Sequence, residues 1–67
     1  MKNRLEELRT QRGIRQEELA AARKASRQTI SSLENGRNNP SILLAYKIAQ
    51  YFGMTIEEVF IFEEEDL

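Results

Sequence analysis

Sixty-seven residues, 40% of them apolar and 31% charged, suit one small domain near the lower size at which a core is stable alone, and argue against general disorder. The chain has no Cys and no His, which excludes disulfides, thiolate metal sites and an imidazole base, and no apolar run approaches the ~20 residues that span a bilayer. A net charge of −1 conceals a split: all ten Lys and Arg lie at or before Lys47, with five Glu among them, while six acids and no base follow.

Asn3 can cap a first helix that runs to about Arg12, with Glu6 in a partial capping box and Leu5 and Leu8 on the core face. The stem of Arg12 can lie alongside them. Gly13 is placed to end this helix in a left-handed conformation, and Ile14 packs inward ahead of the next. A second helix starts near Arg15-Gln16 and ends near Arg23, with Leu19 and Ala22 facing the core and Ala20 small enough to let a neighbouring helix approach closely.

Ser26 can cap a third helix, from about Arg27 to Asn35, which Gly36 ends. Ile30 and Leu33, three apart, form its inward face. The opposite face carries Arg27, Gln28, Thr29, Ser31 and Ser32, with no acid before Glu34. A solvated helix usually mixes acids and bases. This face instead suits base edges and phosphate oxygens.

The loop Arg37-Asn38-Asn39-Pro40 has no apolar side chain to bury. Ser41 can cap a fourth helix to about Phe52, in which Leu44, Ala45, Ile48, Ala49 and Phe52 make a stripe at helical spacing. Gly53 stops it. Thr55 and Glu58 form a capping box for a short fifth helix, with Met54 and Val59 spaced as a hydrophobic staple. The end, Phe60-Ile61-Phe62 and then four acids, is too apolar and too β-favouring for a free tail.

The order QEELA followed by SRQTISSLENG, with Gln16, Leu19-Ala20, Ser26, Ile30 and Leu33-Glu34-Asn35-Gly36 at fixed offsets, resembles the Cro/C1-type (XRE) helix-turn-helix regulators. The resemblance covers Leu5 to about Phe60, with residues 16–36 as the motif. It implies a small stand-alone member: an all-α, five-helix, lambda-repressor-like domain spanning 1–67, with room for a short C-terminal strand. Three departures stand out. Arg15 replaces the usual Ser or Thr cap, at a loss of about 1 kcal/mol. Arg23 fills a position that is usually apolar, and Lys24 one that is usually Gly. Either Lys24 is left-handed, with strain of roughly 1 kcal/mol, or the second helix is longer and the turn reshaped.

By matching positions, the resemblance makes Arg27, Gln28 and Ser32 the leading base-edge contacts, with Thr29 and Ser31 beside them. Arg suits guanine and Gln suits adenine. Gln16, Arg15, Asn35, Arg37, Asn38 and Asn39 would meet phosphates. A first-turn polar role for Gln16, and turn chemistry for the asparagines, are the plainer alternatives. Arg9 and Glu34 are implied as a scaffold ion pair, not a DNA contact. The family's smallest members end in a strand next to a fifth helix and are dimers, so residues 54–67 form a candidate dimerisation segment. Ile42, Tyr46, Phe60, Ile61 and Phe62 are the interface candidates, unless they simply close the core.

The function expected is sequence-specific binding of double-stranded DNA by a cytoplasmic homodimer, as a repressor of an inverted-repeat operator. The alternative is a protein-interaction module, such as the antitoxin partner of a toxin. Catalysis is not expected: there is no Gly-rich phosphate loop, and the hydroxyls have no base to activate them. Neither a cofactor, a metal nor a small-molecule ligand is implied.

Overall fold

A two-residue strand, β1 (Lys2–Asn3), opens the computed structural model, which describes residues 1–67. Five helices follow: α1 (Leu5–Gln11), α2 (Gln16–Ala22), α3 (Arg27–Glu34), α4 (Ile42–Tyr51) and α5 (Ile56–Val59). Strand β2 (Phe60–Ile61) and a final 3-10 turn at Glu64–Asp66 complete the chain. β1 and β2 pair antiparallel, Lys2 opposite Ile61 and Asn3 opposite Phe60. The five expected helices are all present, and so is a C-terminal strand. None is long and apolar enough to cross a membrane.

Asn3 does more than cap. It lies in β1, one residue ahead of the position expected, and Arg4 precedes α1 instead. Its Oδ1 accepts from the Leu5 N–H at 3.0 Å, and its Nδ2 donates to the Leu33 carbonyl at 2.7 Å. One amide thus satisfies an otherwise free donor of α1 and ties β1 to the end of α3 at the Leu33 carbonyl, which also accepts from the Gly36 N–H at 3.0 Å.

The core is wholly apolar: Leu5, Leu8, Leu19, Ala20, Ile30, Leu33, Ala45, Ile48, Ala49, Phe52, Val59 and Phe60 are buried, with no polar residue among them. Two expectations need correction. Ala22 is exposed, and the alanine of α2 that is buried beside Leu19 is Ala20. The reason is that α3 packs along the Ala20 side of α2, whereas α2 ends at Ala22. Phe60 is 1% exposed and closes the core, so it is not available to a partner. Strand alternation explains this: Phe60 turns in and Ile61 turns out.

The turn between α2 and α3 resolves as the left-handed alternative, with Lys24 at φ +55°. Lys24→Gly is expected to raise stability by about 1 kcal/mol by removing the Cβ strain of that conformation, measured as a higher urea midpoint at unchanged slope. Arg23 also finds a use. Its guanidinium lies 5.1 Å from the centre of the Tyr51 ring, while that of Arg12 lies 4.9 Å from the Phe52 ring. Arg12 also donates to the Phe52 carbonyl at 2.7 Å. Two cations thereby cover aromatic faces and the C-terminal carbonyl end of α4.

Thr55 and Glu58 form the expected box: Glu58 N–H donates to Thr55 Oγ1 at 3.3 Å, and Thr55 N–H donates to Glu58 Oε1 at 2.8 Å. The hydrogen bond from the Thr55 backbone, then that from its hydroxyl, holds the Glu58 carboxyl below the usual carboxylate range. A lowered folded value means the stabilisation is complete above the ordinary Glu value of ~4.3 and is lost as pH falls through the folded one. The difference in melting temperature between wild type and Glu58→Gln is therefore expected to shrink below about pH 4, in a thermal series from neutral to acid pH.

Candidate nucleic-acid interface

The geometry of α3 follows from its cap and its two inward residues. Ser26 Oγ accepts from the Thr29 N–H at 3.0 Å and lies 2.9 Å from Thr29 Oγ1. Ile30 and Leu33 are buried against α1 and α2. Arg27 and Gln28 are exposed, while Thr29, Ser31 and Ser32 are half-buried. The hydroxyl of Thr29 is already engaged by the cap and Arg27 pairs with Glu17, which leaves Gln28, Ser31 and Ser32 the freer polar groups.

The loop after α3 completes the surface. Gln28, Thr29, Ser31 and Ser32 line one open polar concavity together with Asn35, Arg37, Asn38 and Asn39. Candidate base-edge and candidate phosphate residues thus share one surface. Arg27 lies on the far side of the ridge, where it borders a second depression with Ser26, Gln28 and Ser31. Gly36, at φ +73°, permits the sharp exit from α3, and a Cβ there would lie 3.4 Å from the Met1 carbonyl oxygen.

Beneath this face lies a charged clamp. Arg9 Nε donates to Glu34 Oε2 at 2.7 Å and Nη2 to Oε1 at 3.3 Å, while Nη1 donates to the Ile14 carbonyl at 2.7 Å. The side chain of Glu34 is 2% exposed and that of Arg9 is 13% exposed. The hydrogen bond to Glu34 is the main influence on Arg9 and raises its pKa, so the guanidinium stays charged despite its burial. Gln16 Nε2 donates to Glu34 Oε1 at 2.9 Å. One carboxylate therefore joins α1, α2 and α3. The amide of Gln16 thus supports a side chain of the recognition helix, Glu34.

Arg15 precedes α2 without a side-chain cap. Glu18 accepts from the Arg15 N–H at 3.3 Å, but a guanidinium has no acceptor to return the bond, so only half of the reciprocal box forms. The Arg15 side chain is left exposed, as are Asn35, Arg37, Asn38 and Asn39.

The remaining candidates separate. Ile42 is 78%, Tyr46 53% and Phe62 49% exposed, and Ile42 and Phe62 line one small apolar depression with Ile56 and Ala45. Ile61 borders a different depression, beside Asn35, Gly36 and the acidic end. Leu43, not among those candidates, is also widely exposed. Its spacing of three from Tyr46 puts both on one strip of α4, a signal that was present in the sequence.

The family model described as Helix-turn-helix matches residues 5–59. The chain is 49% identical over 67 residues to an uncharacterized HTH-type transcriptional regulator of Archaeoglobus fulgidus, across 100% of this chain and 96% of that one. It is 46% identical over 66 residues to another from Methanocaldococcus jannaschii, across 98% of this chain and all of that one. Its fold is similar to that of the restriction-modification controller protein C.AhdI from Aeromonas hydrophila, with a TM-score of 0.77 and 35% identity over 85% of this chain and 86% of that one. With the motif spacing, the capped α3 and its buried clamp, these matches place the chain in the Cro/C1-type (XRE) helix-turn-helix family of DNA-binding transcriptional regulators, a class of proteins that are not enzymes.

Proposed function

We propose that the protein binds an inverted-repeat operator as a homodimer, through the major groove, and represses transcription in the cytoplasm by occluding a promoter. One observation carries this reading: α3 rests on an apolar inner face and a buried ion pair, and turns an acid-free polar face to solvent. Arg27, Gln28 and Ser32 would meet base edges. Arg15, Arg37 and the loop asparagines would set register on the phosphates, and Gln16 would join them where its amide is not held by Glu34. Two copies would set their recognition helices about 34 Å apart, one turn of duplex.

Binding-site selection from random duplex DNA tests this directly and should return a palindrome. With Arg15 and Arg37 of two protomers on phosphates, log K should fall against log salt with a slope of about −4. Binding indifferent to both sequence and salt would overturn the reading.

The apolar strip on α4 supports the dimer. Ile42, Leu43, Tyr46 and Phe62 expose apolar surface that a second copy would cover, with residues 54–67 contributing Phe62. Ile42→Asp is expected to shift the sedimentation coefficient to that of a monomer while leaving helicity unchanged, because Ile42 contributes nothing to the core. The same strip also suits a different protein, as in an antitoxin. A stoichiometric complex with another protein, together with no selected DNA site, would favour that second reading.

A further inference from the structure

We propose that Glu17 is a positioning residue that sets how Arg27 meets DNA and so sharpens the choice of base. The inference rests on the reading of Arg27 as a base-edge contact. Glu17 Oε1 lies 3.0 Å from Arg27 Nε, and both side chains are exposed. The first turn of α3 carries no acid of its own, so the carboxylate beside its reading face is supplied by α2. An exposed pair of this kind contributes little to folding. Its effect is on the direction and availability of the guanidinium.

The carboxylate is nearest Nε, and none of the hydrogen bonds in the fold engages Nη1 or Nη2 of Arg27. These terminal nitrogens form the fork that matches guanine O6 and N7. A guanine edge is a neutral acceptor, so it can take that fork while the Glu17 contact persists. A phosphate cannot do so as readily. It must either displace Glu17 or settle beside a like charge. Glu17 thereby stabilises the base-directed pose and penalises the phosphate-directed one, and discrimination is the difference between the two.

The test uses the selected operator and a scrambled duplex of equal length, with affinities measured by fluorescence anisotropy at one salt concentration. Wild type, Glu17→Gln, Arg27→Ala and the double variant are compared, and circular dichroism confirms equal helicity. Glu17→Gln should raise affinity for the scrambled duplex about threefold and lower that for the operator by a similar factor, as suits one exposed ion pair. The specificity ratio then falls about tenfold, within the range of one base contact. In the Arg27→Ala background the same change should leave the ratio untouched. A Glu17→Gln that moves both affinities by one common factor, or that changes the ratio equally without Arg27, would overturn the role of Glu17 alone. An Arg27→Ala protein with its base preference intact would overturn the base-edge reading of Arg27 and the proposal with it.

Discussion

Replacing Arg9 by methionine is expected to cost about 3–5 kcal/mol, because it leaves the buried carboxylate of Glu34 without its cation. A core of this size rarely supplies more than about 3–5 kcal/mol in total. The variant should therefore be largely unfolded at room temperature, which a urea titration followed by circular dichroism would show. Gln16 cannot compensate, since a neutral amide offers one hydrogen bond at 2.9 Å where the guanidinium offers two and a full charge. Replacing Glu34 together with Arg9, both by methionine, should restore much of the loss, because the cost lies in an unpaired buried charge. The shortfall between the two single changes and the double one measures the coupling. A single Arg9→Met costing less than about 1 kcal/mol would show the pair to be worth no more than a surface ion pair.

Gln28→Ala and Arg37→Ala should weaken DNA binding in different ways. Gln28 stands on the ridge between the two depressions of the reading face, its side chain exposed and free of intramolecular partners. Its loss should reduce discrimination at one base pair of each half-site by about 1–3 kcal/mol, the worth of a bidentate amide contact to adenine. A repeated binding-site selection should return a site degenerate at that position. Arg37 stands on the loop side of the concavity and would meet phosphate. Its loss should weaken all duplexes alike and make the salt slope shallower by about 2 in a dimer, from one phosphate contact per protomer. The same loss of base preference in both variants would remove the division between reading and anchoring residues.

Much of this arrangement was legible in the residues. Ser26, Ser41 and Thr55 accept from the N–H groups three residues on, as short hydroxyl side chains before apolar runs should. Ile30 and Leu33 are buried at the spacing that one helix face requires. What escaped was decided by contacts between distant segments. β1 is two residues long, too short for any alternation, and exists because β2 lies beside it. Ala20 and Ala22 lie on opposite sides of Leu19 around α2, and the exposure of Ala22 follows from α3 packing on the Ala20 side. Phe60, Ile61 and Phe62 form one apolar run, yet Phe60 enters the core, while Ile61 and Phe62 border separate depressions.

Local chemistry along the chain determined the five helices, the caps of α3, α4 and α5 and the polar composition of the reading face, because each depends on neighbours within four residues. Tertiary structure alone decided which apolar residues remain outside, how Arg23 is accommodated on Tyr51 and why the amide of Gln16 turns to Glu34. Each of those outcomes depends on groups many residues apart in sequence. Only the folded chain sets their distances.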